Sequence, residues 1–400
     1  MTMNTNADPL KLGFGLMRLP RKGEEIDVEQ VKEMVDLFLD AGFVYFDTAW
    51  IYRGSEEAIR KALVERYPRE KYLLATKLAA WSRCSTKEDA YAQFETSLER
   101  TGAGYFDNYL IHNLGEERTK TFDKFDVWSF VQKKKAEGKI RQAGFSFHDH
   151  ASSLEKILKA HPEMDFVQLQ INYADWDNPT VESRRCYELA REYGKPVIVM
   201  EPVKGGLLAN PPEEAAKIFR EADPTSSCSS WAIRFAASLE GVQTVLSGMS
   251  SVAQMRDNLS FMRTFRPLSD EERQVISRVR EALKQIPIVP CTSCNYCAKV
   301  CPANIAISGT LNALNTVKLY NGLATAKQAE RWAVDPDKKH AYDCLKCGKC
   351  EAACPQHIPI RRHLEEAVKV LELKPQPSRN LQRSGKKEAV SPEAVSSSRR

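Results

Sequence analysis

The stretch Val28-Glu-Gln-Val-Lys-Glu-Met-Val-Asp-Leu-Phe-Leu-Asp-Ala41-Gly42-Phe43-Val44-Tyr45-Phe46-Asp47 holds one complete unit of the architecture. Residues 28–41 carry a helical pattern, and Gly42 stands where that helix should stop, in the usual C-cap position. Residues 44–47 form a short apolar run that reads as a strand ending in an acid. A helix, a glycine stop and a brief strand together make the repeating step of an α/β protein.

The same alternation extends in both directions. Strand candidates fall at 12–17, 44–47, 72–77, 108–112, 140–146, 166–170, 196–201 and 242–247. Helical patterns between and after them include 55–66, 87–100, 123–137, 181–193 and 226–239, with Gly138, Gly194 and Gly241 at further stops. Eight strands with intervening helices describe a (β/α)8 TIM barrel of about the expected ~250 residues. A doubly wound sheet is the alternative, but no G-x-G-x-x-G follows an early strand. A further helix, 269–285, closes the unit, and Pro287 and Pro290 mark a joint. The barrel is therefore expected over residues 10–286, with a small, mostly α-helical domain over 287–374.

That second domain holds two copies of one cysteine pattern. They are Cys291-Thr-Ser-Cys294-Asn-Tyr-Cys297-Ala-Lys-Val-Cys301-Pro302 and Cys344-Leu-Lys-Cys347-Gly-Lys-Cys350-Glu-Ala-Ala-Cys354-Pro355. C-x2-C-x2-C-x3-C-P suits a thiolate-held [4Fe–4S] cluster, and in two-cluster ferredoxins the fourth cysteine ligates the other cluster. One cluster is thus expected on Cys291, Cys294, Cys297 and Cys354, the second on Cys344, Cys347, Cys350 and Cys301. Zinc is the alternative, since C-x2-C pairs also hold zinc, but it gives no reason for a third cysteine and a Cys-Pro in each copy. The 43 positions from Cys301 to Cys344 include an Ala, Leu, Lys and Gln-rich insert at 311–333 expected to be helical, unlike compact β-rich ferredoxins. Cys84, Cys186 and Cys228 have no partner spacing and read as ordinary thiols.

Composition bounds the rest. The 400 residues are 42% hydrophobic, enough for one large domain and a small one. Residues 1–9 are polar without an apolar core segment and are expected to be disordered, and no stretch approaches the ~20 apolar residues of a membrane span. A cytoplasmic, reducing location and no membrane partner follow as expectations, in line with thiolates rather than disulfides. Of the net charge of +5, a Ser, Pro and Lys-rich tail at 375–400 supplies +4. That tail is expected to be disordered, and the remainder gives no support for a nucleic-acid partner.

Barrel active sites lie at the C-terminal ends of strands. Those ends give Asp47, Lys77 and His112, with Tyr52 in the loop Phe46-Asp47-Thr48-Ala49-Trp50-Ile51-Tyr52-Arg53-Gly54-Ser55-Glu56. A lysine beside the phenol is expected to lower its pKa, with the aspartate holding that lysine charged. The phenol would then donate a proton to a carbonyl oxygen, and the histidine would orient the carbonyl. Trp50 and Trp81 are candidates for the substrate mouth; His148 and His150 read as a solvated loop pair and Lys133–Lys135 as a solvated face.

The Asp-Thr-Ala-x-x-Tyr-x-Gly-Ser-Glu stretch, Ala75-Thr76-Lys77 and Leu110-Ile111-His112 resemble the aldo-keto reductases over roughly residues 10–265. With the cysteine domain, the chain is similar to bacterial members carrying a C-terminal ferredoxin-type dicluster domain. Gly144-Phe145-Ser146-Phe147-His148-Asp149 and Val199-Met200-Glu201-Pro202-Val203-Lys204-Gly205-Gly206 look like that subgroup. The resemblance implies a catalytic tetrad of Asp47, Tyr52, Lys77 and His112. It places Ser146 and Gln168 on a nicotinamide carboxamide, and Ser247, Gly248, Gln254 and Asn258, with Asp257 nearby, at the adenosine-phosphate end. Phe147 stands where the family usually has Asn, and the stacking aromatic falls at Met200. The Lys-Ser and Arg that often meet a 2′-phosphate are missing, with Arg256 out of register, so NADP(H) and NAD(H) both stand.

Hydride carriers move two electrons and iron–sulfur clusters one. A flavin would join them, but nothing in the sequence identifies a flavin site. Three readings follow. In the first, an NAD(P)H-dependent carbonyl or alcohol oxidoreductase exchanges electrons with its clusters or an electron-carrier protein. In the second, the reductase works alone and its clusters brace the fold. In the third, the chain is an electron-transfer protein whose barrel binds another ligand or partner.

Overall fold

Eight parallel strands close into one barrel in the computed structural model, which describes residues 10–179, 181–334 and 337–374. The terminal segments 1–9 and 375–400 lie outside the described residues. The strands are β1 (Leu12–Gly15), β2 (Tyr45–Asp47), β3 (Leu73–Leu78), β4 (Phe106–Leu114), β5 (Ile140–Phe147), β6 (Phe166–Gln170), β7 (Val197–Met200) and β8 (Val242–Ser247). Each pairs with its chain neighbours. Gly13 opposite Tyr45 and Leu12 opposite Val245 close the ring.

Strand alternation sorts the side chains. Phe46, Leu74, Ile111, Val167, Val199 and Val245 face outward into the main apolar core, against helices such as α1 (Val28–Asp40). Tyr45, Ala75, Leu110, Phe166, Ile198 and Leu246 instead form a separate buried layer inside the barrel. With a period of two, the next interior positions on β2, β3, β4, β6 and β7 are Asp47, Lys77, His112, Gln168 and Met200. The interior packing register thus fixes which side chains surround the mouth.

Several element boundaries differ from expectation. Strand 12–17 stops at Gly15 because Leu16–Arg18 turn into a 3-10 segment, and a short hairpin pairs Arg21–Lys22 with Glu25–Ile26. The helix expected over 55–66 is α2 (Ser55–Ile59) running into a π-helical turn, Arg60–Val64. The barrel helices continue with α3 (Lys87–Thr101), α4 (Glu116–Lys124), α5 (Val127–Ala136), α6 (Ala151–Ala160), α7 (Ser183–Glu192), α8 (Glu213–Ala222), α9 (Cys228–Ala237), α10 (Val252–Met262) and α11 (Asp270–Lys284). Asp126, with φ +49°, separates α4 from α5 and shortens the helix read over 123–137. Lys134 and Lys135 are not simply solvated: they pair with Glu95 and Asp165.

Beyond Pro290 come α12 (Tyr296–Lys299), α13 (Ile307–Tyr320), α14 (Leu323–Val334), α15 (Lys349–Ala352) and α16 (Ile360–Val370). The insert between the cysteine runs is helical as expected, in two helices parted at Asn321 with φ +50°. Its Asn315 side chain both donates to and accepts from the Val289 backbone, at 2.8 Å each way, which ties the joint to α13. Among the described residues, no helix is long and apolar enough to cross a membrane.

Candidate active site and cluster centres

The loop that carries Tyr52 is held by the residues that follow it. Gly54 takes φ +78°, a left-handed conformation that favours glycine. The Ser55 hydroxyl bonds to the Thr48 hydroxyl at 2.7 Å and donates to the Leu16 carbonyl at 3.0 Å. Glu56 is buried, accepting from the Thr76 hydroxyl at 2.7 Å and from Arg100 at 3.3 Å. Gly-Ser-Glu is thus the anchor that sets the phenol over the strand ends.

Beneath that loop the Lys77 ammonium is 1% exposed and donates to an Asp47 carboxylate oxygen and, at 2.7 Å, to the Thr48 carbonyl. Burial pushes Lys77 down and Asp47 up, while their mutual attraction opposes both shifts. Lys77 Nζ lies 5.2 Å from the centroid of the Tyr52 ring. The His112 ring meets Tyr52 edge to face at 5.8 Å. Burial, reinforced by the Lys77 charge, holds His112 well below the ordinary histidine range, so it is neutral at pH 7. The Trp81 indole N–H donates to the His112 carbonyl at 2.9 Å.

One sequence expectation is reversed. The Tyr52 phenol lies above its ordinary range, not below it, because burial and then the Asp47 carboxylate outweigh the Arg18 charge. A raised phenol keeps its proton at neutral pH, the form a donor starts from.

Asp47 and Tyr52 open onto a long cleft that also contains Gln168, Met200, Ser247, Gly248, Gln254, Asp257 and Asn258. Gln168 donates to Asp47 at 3.3 Å. Ser146 is fully buried rather than on the cleft wall, its hydroxyl accepting from the Asn113 N–H at 2.7 Å. Arg256 points elsewhere and pairs with Glu33. His148, read as a loop residue, lines the cleft, as do residues not anticipated there, among them Arg18, Asn113, Glu201 and Trp332. Burial raises the Glu201 carboxyl, with Arg18 and Lys204 opposing. No spacing pattern marks Arg18 or Trp332, since one follows β1 and the other lies on α14.

The cleft fits an extended dinucleotide in three respects. It runs from Asp47 and Tyr52 to α10, while Lys77 and His112 lie behind its wall. Gly15 and Gly248, which have no side chains, both line it. At the far end, the buried Asn258 amide donates to Ser247 at 3.1 Å, while its carbonyl oxygen has no partner among the described residues. An acceptor in that state is open to a donor, which a water or a ligand can supply.

The eight patterned cysteines surround two voids. One is lined by Cys291, Cys294, Cys297 and Cys354, the other by Cys301, Cys344, Cys347 and Cys350. Each run sends its fourth cysteine to the other's void. Among the described residues, no three Cys, His, Asp or Glu side chains converge tightly enough for a single ion. Four cysteines line each void, the number of thiolates that a [4Fe–4S] cluster takes.

Comparisons with known proteins agree with this geometry. The Aldo/keto reductase family profile matches residues 11–281, and the 4Fe-4S dicluster domain profile matches 290–358. A 9,11-endoperoxide prostaglandin H2 reductase of Trypanosoma cruzi is 28% identical over 211 residues, covering 52% of this chain and 66% of that protein. An aldo-keto reductase of Mycolicibacterium smegmatis is 27% identical over 214 residues, covering 53% of this chain and 70% of its own length. Among solved structures, the holo form of aldo-keto reductase AKR11C1 from Bacillus halodurans superposes with a TM-score of 0.54 at 27% identity, covering 67% of this chain and 91% of that one. The closed barrel, its strand-end residues and the matched profile together place this chain in the aldo/keto reductase family, with a 4Fe–4S dicluster domain at its C-terminal side.

Proposed function

We propose that this oxidoreductase interconverts a carbonyl compound and its alcohol with NAD(P)H, using Asp47, Tyr52, Lys77 and His112. The observation that carries the reading is the single cleft joining the Tyr52 end to the Asn258 end. When bound, the nicotinamide supplies a hydride. Tyr52 gives its proton to the carbonyl oxygen as negative charge develops there. Lys77, 5.2 Å from the phenol ring, stabilises the phenolate left behind, and Asp47 keeps that ammonium in place. Neutral His112 offers a hydrogen bond that orients the carbonyl. Gln168 would hold the nicotinamide end, and Ser247, Gly248, Gln254 and Asn258 the adenosine end. Ser146 acts from behind the wall through the Asn113 backbone.

The two cysteine voids would hold [4Fe–4S] clusters, which supply one-electron exchange. Their ligands are assigned as two crossed sets, three cysteines from one run and the fourth from the other. A small carbonyl or alcohol is the substrate, and an electron-carrier protein is the further partner the clusters imply.

An anaerobic titration of the iron-loaded protein with NADPH and then NADH, with dithionite as reference, tests the reading. Binding of either nucleotide, with its turnover by a carbonyl substrate, is the expected result. Absence of binding by both would remove the dinucleotide reading. Bleaching of the cluster absorbance by nucleotide would show that the two centres share electrons.

A further inference from the structure

The helical insert between the cysteine runs packs on the barrel's mouth. Tyr320, at the end of α13, joins an apolar cluster with Tyr173, Leu207 and Leu208 from the loops after β6 and β7. Gly322 follows so closely that a Cβ there would stand 2.4 Å from the Leu207 side chain. Thr325 then passes 4.0 Å from a Cβ placed on Gly205. Trp332 lies seven residues further along the same helix, two turns on, and so on the same face.

That indole lines the cleft, yet it is 59% exposed. It is the one side chain from beyond Pro290 on the cleft wall among the described residues. Tyr52 and Trp332 are also the only Phe, Tyr or Trp side chains there, because the end of β7 carries Met200 instead of a ring. A dinucleotide brings two planar rings to a wall otherwise poor in aromatic surface. An exposed indole beside it gains by being covered.

We propose that Trp332 is a ligand-binding residue that the dicluster domain contributes to the barrel, closing over the bound dinucleotide and covering one of its rings. The inference rests on the reading of the cleft as a dinucleotide site. It makes the barrel's nucleotide affinity depend on the appended domain.

The test is anaerobic titration of the full, iron-loaded chain with NADPH and with NADH. Loss of one stacking contact in Trp332→Ala is expected to raise Kd about 5- to 10-fold, with iron content and cluster EPR unchanged. Trp332→Phe, which keeps a ring and so protects the fold, is expected to bind within about twofold of wild type. It should also lose part of the tryptophan quench that nucleotide causes in wild type. Wild-type affinity in Trp332→Ala, or an undiminished quench in Trp332→Phe, would overturn the proposal. Failure of wild type itself to bind either nucleotide would instead count against the dinucleotide reading.

Discussion

Cys301 and Cys344 stand 43 positions apart in the chain and line the same void. Cys354 likewise joins Cys291, Cys294 and Cys297 across the domain. The helical insert is therefore a loop whose two ends meet at one void, so that a group bound there would tie the ends of α13 and α14 together.

The crossed arrangement predicts an asymmetric response to cysteine removal. With Cys291, Cys294 and Cys297 all replaced by Ala, iron analysis is expected to find about four irons per chain in place of about eight. Adding Cys354→Ala to that variant should change nothing further, whereas adding Cys301→Ala should abolish the remaining cluster signal by EPR. The opposite pattern would mean that each run closes its own site.

Iron removal should reach the barrel. Chelation frees both ends of the insert, and with them the seat of Trp332. Nucleotide affinity measured before and after iron removal is expected to fall at least about fivefold, the share of one stacking contact. Equal affinity would mean that the insert keeps its place without the cluster.

His112 gives a stability prediction with a definite sign. Its folded pKa lies well below 6.5, so below pH 6.5 the unfolded chain binds a proton that the folded chain refuses. Its contribution is complete above about pH 6.5 and is lost as the pH falls from there. Between pH 7 and 5.5 the wild-type Tm should drop more steeply than that of His112→Gln. Turnover in His112→Ala should fall about 10²- to 10³-fold, measured as kcat.

Tyr52 sets the alkaline limb. Its proton is held above the ordinary phenol range, near 10. Carbonyl reduction should therefore show no Tyr52-dependent decline below about pH 10. A pKa below ~9 in the kcat profile that disappears in Tyr52→Phe would contradict this.

Gly144 should tolerate no side chain. A Cβ there would stand 2.6 Å from the Phe166 carbonyl and 2.7 Å from the Phe166 ring, inside the barrel. Gly144→Ala is expected to cost about 2 kcal/mol in denaturant unfolding, the scale of core overpacking.

The sequence was most legible where local pattern and tertiary role coincide. Strand ends Asp47, Lys77 and His112 could be read because the barrel fixes both their depth and, by alternation from Tyr45, Ala75 and Leu110, their direction. The cysteines could be read because ligand spacing is local within each run. Breaks such as Asp126 and Asn321 were hidden, since a single left-handed residue interrupts a continuous helical pattern. A neighbouring charge read from sequence points the phenol's shift the wrong way, because burial, which no local pattern shows, acts most strongly on it. Trp332 was invisible for a different reason: only the docking of α13 and α14 brings a residue of the C-terminal domain to the cleft.

The most direct measurement is single-turnover NADPH oxidation, under anaerobic conditions, by wild type and Tyr52→Phe across a panel of small carbonyl compounds. Both proteins are expected to bind the nucleotide, and only wild type to consume it with formation of alcohol. Undiminished carbonyl reduction by Tyr52→Phe, or nucleotide binding without reduction of any carbonyl by wild type, would contradict this.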